Sequence, residues 1–408
     1  MSEGGESGCD LLVILDGLAE PSGPRTTLSM ARTPALDALA GPSRLCRIDP
    51  QDGARVQDIS SERGIARLLG LSPRESGALS RGGLLSLLTG DPSPSEGFFL
   101  ATPVSFGKDG RLLRYVNRRE AEDAFWTALL KRVTGDEPWR FLPVPGVGGR
   151  IDRMLLSLPR CSGGDAGHPP RRGASREESA SVPGFSEWLS GILPPSFSDS
   201  SDPERRVDGL WLWGGGRAPV REVPSERSDR LSVCATSLVR AIGRMAGFRS
   251  APLSRATGDT DTDLSEKMER VEEGLRHACS RILLHFEGFD MASHRRDPEE
   301  KRRFLERVDR EVFARIIGWF GEGRLTSLSI TSDHQSSPLT GNHEAGPVPA
   351  LFLSRKAFGG RSPGGLRMTE WGVRDLPLVP MEQWTKWSDR PSGEDEAGYP
   401  GKDLCLAL

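Results

Sequence analysis

The residues best suited to chemistry fall in three short stretches. Thr331-Ser-Asp333-His334 comes directly after an apolar segment, and His343 follows nine residues later. Asp290-Met-Ala-Ser-His294 sets a carboxylate and an imidazole four residues apart, a spacing that turns both toward one ion if the segment is helical or tightly turned. Asp16 closes the apolar run Leu11-Leu-Val-Ile-Leu15. Singly, each has an ordinary alternative: a surface ion pair, a turn or cap residue, a solvated loop. Together they hold three of the six histidines in the chain, and a set of carboxylates and imidazoles suits a divalent cation.

Such ligands need rigid elements to bring them together. Leu11–Leu15 has the continuous apolar pattern of a central parallel strand, with Asp16 delivered at its C-terminal end. Further strands are expected at 280–287, at 325–331 and at 349–354, so three strand ends present their ligands to one edge of one sheet. Helices are expected from Thr33, a good N-cap followed by Pro34, to Ala40; over about 61–70; around 233–246; and from Pro298 to about Phe320. A strand at 207–213 is expected to stop at Gly214-Gly-Gly216. Strands alternating with helices in both flanks imply an α/β sheet with helices on both faces. The flanks, 1–75 and 223–408, form one domain, interrupted by a smaller inserted α/β domain at 76–222. Residues 160–205, rich in Ser, Gly and Pro, are expected to be a flexible insertion.

Bulk properties limit the function classes. With 408 residues, 36% of them hydrophobic and 27% charged, the chain can build a proper core. A net charge of −3 offers no general attraction to nucleic acid or to an anionic membrane. Cys9, Cys46, Cys161, Cys234, Cys279 and Cys405 are scattered without a CxxC pair, which suits reduced thiols and a cytoplasmic location. Leu11–Leu15 is too short for a signal sequence or a membrane span.

The order of motifs resembles one family. Val13-Ile-Leu-Asp-Gly17 with Ala31-Arg-Thr-Pro-Ala-Leu-Asp-Ala-Leu-Ala40, Leu210-Trp-Leu-Trp-Gly-Gly-Gly-Arg217, Ala256-Thr-Gly-Asp-Thr-Asp-Thr-Asp263 with Lys267, His285-Phe-Glu-Gly-Phe-Asp290 through His294, and Ile330-Thr-Ser-Asp-His334 through His343 to Pro349 follow in register. This pattern is similar to the archaeal-type cofactor-independent phosphoglycerate mutases of the alkaline phosphatase superfamily. The resemblance implies an alkaline-phosphatase-like sheet with an inserted cap. It also implies a serine nucleophile seven residues before a Leu-Leu-Gly. Here Leu68-Leu69-Gly70 points to Ser61, although Ser60-Ser61-Glu62 stands where the family has Gly-Ser-Asp. Ser60 is the rival, and a helix N-cap is the structural role open to either.

Carried over by position, the resemblance implies two cation sites, one of Asp290, His294 and His343 and one of Asp16, Ser61, Asp333 and His334. The ions would be manganese, magnesium, cobalt or zinc. A serine hydroxyl is a weak nucleophile near neutral pH, and a divalent cation favours its alkoxide. The implied reaction is that of an isomerase in glycolysis, interconverting 3- and 2-phosphoglycerate through phosphoserine. Arg81, Arg118, Arg119, Arg217 and Lys267 are the cations expected to grip a small phosphorylated substrate. The cap motifs depart from the family: Arg81 keeps its place without the following carboxylate, Glu122 stands for an arginine, and Glu287 replaces a lysine near the ligands. These departures keep a second reading open, a relative acting on another phosphate ester as a homoserine-kinase-like phosphotransferase or a phosphatase. A non-catalytic metal-binding paralogue is the third.

Overall fold

The computed structural model describes residues 8 to 389, apart from 22, 24, 91, 94, 116–118, 136–137, 160–166, 199, 201–205, 220–226, 359–366 and 371. Its central element is a mixed seven-stranded sheet. The strands run in the order Arg44–Ile48, Val348–Ser354, Leu325–Thr331, Cys9–Leu15, Arg281–Phe286, Arg227–Val233, Phe248–Ser250. Cys9–Leu15 lies parallel to both of its neighbours, and Leu11 to Leu15 are buried throughout. A strand paired on both sides and covered on both faces has no polar side to show, which is why the run is continuously apolar.

Register is what turns three sequence motifs into one site. Leu15 pairs with Phe286 and Ile14 with Thr331, so the three parallel strands end together. Asp16 follows one end directly, Asp333 comes two residues after the second, and the helix Gly288–His294 starts two residues after the third. Val348–Ser354 and Arg44–Ile48 continue the sheet in antiparallel fashion.

Packing divides the chain into two compact units, Met1–Gly70 with Ser228–Val233 and Gly258–Leu408, and Leu71–Arg227 with Cys234–Thr257. The helix Ser237–Met245, expected in the flanking domain, therefore groups with the second unit. That unit holds an antiparallel sheet in the order Leu112–Tyr115, Gly97–Phe106, Ile151–Leu158, Arg140–Pro145, with Gly209–Arg217 also paired to Gly97–Phe106.

Three local expectations need correction. The segment 160–205 is not one flexible insertion. Residues 167–198 are described, and they include the helix Phe185–Ile192, whose Phe185 and Leu189 join Phe197, Phe125 and Trp126 in a buried cluster. Each such side chain contributes about 1.5–3 kcal/mol on burial, enough to order a segment whose average composition is polar. The strand expected to end at Gly214 instead runs on to Arg217. There the glycines permit close approach: a Cβ on Gly215 would lie 2.2 Å from the Phe99 ring. Thr33 occupies the N-cap position of Pro34–Ala40 without a capping side-chain bond. Asp309 caps the helix from outside, its carboxylate accepting from Leu36 N at 2.7 Å and Ala35 N at 3.2 Å. Asp309 opens a π turn, Asp309–Phe313, that joins Pro298–Val308 to Ala314–Gly321 within the long helix expected there.

Candidate metal centre and active site

The seven candidate ligands all belong to the first unit, and the backbone around them is built for close approach. Gly17 has φ +66°, and its N–H donates to Asp333 Oδ1 at 3.1 Å. A Cβ there would sit 2.7 Å from both Cβ and Oδ1 of Asp290, so only glycine lets the first strand end this near the second ligand. The helix Ser61–Leu68 brings up the serine pair. Ser60 is its N-cap, with the hydroxyl accepting from Arg63 N at 3.3 Å. Ser61, the first helical residue, points its Oγ to within 3.2 Å of His334 Nε2. The two rivals are thus separated by local structure: Ser60 caps, and Ser61 faces the histidine.

Two tight clusters result. Ligand atoms of Asp16, Asp333 and His334 lie within 4.8 Å of one another, as do those of Asp290, His334 and His343. His334 Nε2 is 3.4 Å from Asp16 Oδ1 and 3.3 Å from Asp333 Oδ2. His343 Nε2 is 3.5 Å from Asp290 Oδ1, and the His334 and His343 rings are 4.0 Å apart by centroid. His334 therefore belongs to both clusters, whereas the resemblance assigns it to one. His294 sits at the rim, with Nε2 3.0 Å from Asp290 Oδ2 and Nδ1 2.9 Å from the carbonyl of Gly341. It touches Asp290 but lies outside both tight clusters.

The electrostatics of this arrangement fit a cation. Asp16, Asp290 and Asp333 are buried together. Burial, then the carboxylates of Asp333 and Asp290, push Asp16 well above the usual carboxylate range. Burial raises Asp333 too, against the pull of His334. Burial also works to raise Asp290, but the imidazoles of His294 and His343 prevail and hold it well below. Asp16 Oδ1, Asp333 Oδ2 and His343 Nε2 are buried without a hydrogen-bond partner. Orphaned acceptors in a dry site are costly unless something electropositive meets them. A divalent cation on these oxygen and nitrogen atoms would meet that need.

Two supporting residues escaped the sequence reading. His285 Nε2 lies 3.1 Å from Asp16 Oδ2, fully buried. Burial, then Lys267, push its pKa down to about 3, so the ring is neutral and can donate a hydrogen bond to the carboxylate. The signal was available, since His285 is a polar residue in the otherwise apolar run Ile282-Leu-Leu-His-Phe286. Gln51 donates from Nε2 to the carbonyls of Asp333 at 3.0 Å and Ser60 at 2.9 Å, tying the serine helix to the ligand strand. Nothing in its sequence context marks it.

The expected substrate cations are placed differently. Lys267 is buried, donates to the carbonyl of His285 at 2.8 Å and lies over the Phe286 ring. It is a buried lysine bonded to the His285 backbone, not an exposed cation. In the second unit, Arg81 opens the helix Arg81–Ser86 with its guanidinium 5.4 Å from the Trp213 ring centroid, and exposed Arg217 ends its strand. Arg118 lies outside the described residues, and Arg119 begins the helix Arg119–Leu130 with its side chain outside them. Glu122 accepts from Trp126 Nε1 at 3.4 Å, and burial raises its pKa.

Residues 10–368 match the family model of the metalloenzyme superfamily. The chain belongs to that superfamily. It is similar along most of its length to 2,3-bisphosphoglycerate-independent phosphoglycerate mutases. The one from Thermococcus gammatolerans is 28% identical over 378 residues, covering 84% of this chain and 87% of the relative. One from Archaeoglobus fulgidus is 26% identical over 369 residues, covering 84% and 88%. Among solved structures, a protein of Pyrococcus horikoshii superposes with TM-score 0.69 at 22% identity, covering 95% of this chain and 99% of that one. The cofactor-independent phosphoglycerate mutase of Thermoplasma acidophilum gives TM-score 0.52 at 18% identity, covering 92% and 97%. The family resemblance drawn from the motifs is borne out, and the metalloenzyme fold accounts for the α/β sheet. Among the described residues no helix is long and apolar enough to cross a membrane, and Cys9, Cys46, Cys234 and Cys279 are buried thiols.

Proposed function

We propose that this metalloenzyme interconverts 3- and 2-phosphoglycerate, with Ser61 as the residue that carries the phosphoryl group between them. The observation that supports this reading best is the position of Ser61. Its Oγ lies 3.2 Å from His334 Nε2, the histidine that both carboxylate clusters share. The similarity to phosphoglycerate mutases over 84% of the chain supports the substrate class.

Asp290, His294 and His343 would hold one divalent cation, and Asp16, Ser61, Asp333 and His334 a second, whether manganese, magnesium, cobalt or zinc. Bound there, the ions would lower the pKa of the serine hydroxyl and offset charge on the transferring group. The remaining work falls to the chain. Ser61 sits at the first turn of its helix, where the unsatisfied N–H groups and the helix dipole favour an anion. Its Oγ forms the new P–O bond as the bond to the 3-oxygen of the substrate breaks. The glycerate then turns, and its 2-hydroxyl takes the group back as the serine ester breaks. Gln51 keeps the serine helix and the ligand strand in register, and His285 holds Asp16. The second unit is the proposed cap, with Arg81, Arg118, Arg119 and Arg217 as its candidate cations for phosphate and carboxylate.

The test is direct. Purified protein with manganese interconverts the two phosphoglycerates, Ser61→Ala abolishes the reaction, and Ser60→Ala keeps it at reduced stability, by about 1 kcal/mol for a lost cap. Hydrolysis or transfer from other phosphate esters without mutase activity would replace this reading with that of a phosphatase or another phosphotransferase. Full activity in Ser61→Ala would remove the serine from the mechanism.

A further inference from the structure

Ser336 is the middle residue of the short strand Gln335–Ser337 and is entirely buried. Each of its polar groups is engaged. The backbone N–H donates to the carbonyl of Ala19 at 2.8 Å. The carbonyl accepts from Lys301 Nζ at 2.9 Å and from Ser293 Oγ at 3.4 Å. The hydroxyl donates to Asp290 Oδ1 and lies 3.4 Å from His334 Nδ1. One side chain thus touches a carboxylate of one cluster and the imidazole that both share.

Lys301 is the reason Ser336 cannot drift. It is fully buried, and its ammonium bridges Ser336 O and Glu20 Oε1, the latter at 3.2 Å. Glu20 is fixed in turn by the N–H of Thr27, at 3.2 Å. A buried ammonium is expensive to desolvate and is retained only where several acceptors converge on it. Here they converge behind the metal-ligand clusters, on the carbonyl of the residue that hydrogen-bonds Asp290.

We infer that Ser336 is a positioning residue of this centre. Its hydroxyl fixes the orientation in which Asp290 offers its oxygens, and the Lys301–Glu20 pair fixes Ser336. The physical argument is that a carboxylate ligand rotates freely about its last torsion unless a donor holds one oxygen, and loss of such donors lowers metal affinity about 10–100-fold. Asp290 Oδ2 is met by His294, so Ser336 supplies the restraint on the other side.

This inference rests on the proposed cation sites, and its test uses the metal alone. Metal-free full-length protein is titrated with manganese by calorimetry, as wild type, Ser336→Ala, Ser336→Thr, and Lys301→Met combined with Glu20→Gln so that both charges leave together. The expected result is a loss of about 10–100-fold at one site in Ser336→Ala, with the other site unchanged. Ser336→Thr restores the affinity, and the double variant weakens the same site. Unchanged thermal unfolding of the metal-free variants shows that the fold is kept. Wild-type affinity at both sites in Ser336→Ala overturns the inference, and so does an equal loss at both that threonine does not rescue. Wild type that binds manganese but interconverts no phosphoglycerate refutes the proposed activity and leaves the titration to decide the role of Ser336. Wild type with no affinity for manganese refutes both.

Discussion

Glu370 gives a prediction in which sign and size both follow from the structure. Its carboxyl is buried, accepting from Glu20 N at 3.0 Å and Thr26 Oγ1 at 2.6 Å. Burial is the largest influence on it, and its pKa rises to about 7 from an ordinary value of 4.5. In the unfolded chain it ionises near the ordinary value. Between those two pH values the folded state therefore binds more protons than the unfolded state, and stability falls as pH rises. The contribution is fully present below the unfolded pKa and is lost through about pH 7. The shift corresponds to roughly 3 kcal/mol at about 1.4 kcal/mol per unit. Glu370→Gln keeps an acceptor for Glu20 N and removes the charge. It should match wild type at about pH 4 and exceed it by roughly 3 kcal/mol at about pH 8. Urea unfolding of both proteins at the two pH values, with chelator present to keep metal ligands out of the comparison, measures the difference. A difference that does not grow with pH would refute the burial argument. A Gln variant less stable at high pH would show that attraction to the Lys301 ammonium, whose charge Glu370 helps to hold, outweighs burial.

Gly17→Ala tests how tightly the strand ends are packed. Positive φ costs an alanine about 1–2 kcal/mol, and a Cβ against Asp290 adds overpacking of about 1–3 kcal/mol. We expect a loss of about 2–5 kcal/mol in denaturant unfolding together with weakened manganese binding, and wild-type values for both would contradict the observed approach. The raised pKa values of Asp16 and Asp333 predict that the metal-free protein carries protons which a cation must displace. Calorimetric enthalpies for manganese should therefore vary with the ionisation heat of the buffer, and identical enthalpies in all buffers would count against it.

The grouping of the candidate ligands is legible in the sequence because these residues are tied to elements with strong patterns. Asp16 ends a run that can only be a buried strand. Asp290 and His294 share one helical turn, and Asp333-His334 follow a third strand. The choice between Ser60 and Ser61 was not legible, since it depends on which hydroxyl the first helical turn consumes as a cap. The sharing of His334 between clusters was hidden for the same reason, because ring placement depends on packing and not on spacing. Lys267 enters the expected substrate cations through its place in the motif order, which carries no information on burial, and tertiary packing buries it against His285. Within the segment 160–205, composition hides the order of the described residues 167–198, where Phe185, Leu189 and Phe197 matter more than the surrounding serines.

These features have a common physical logic. The centre gathers three buried carboxylates, two of which, Asp16 and Asp333, keep an orphaned oxygen, an arrangement that opposes folding in the absence of a cation. Hydrophobic burial along Leu11–Leu15, Ile282–Leu284 and Leu328–Ile330 must carry that opposition, which explains why the ligands stand at the ends of the most apolar strands. A cation bound only by the folded state returns stability as RT ln(1 + [L]/Kd), about 2.7 kcal/mol at a hundredfold excess over Kd. Stability and catalytic competence are then set by the same ion. The supporting residues follow from this: His285, Gln51, Ser336 and Lys301 are buried polar groups that a purely structural core would replace with apolar ones. Each has a hydrogen bond that leads, within two steps, to Asp16, Asp290 or Asp333. A chain that kept the fold but lost metal binding would be free to replace all four with apolar residues of similar volume.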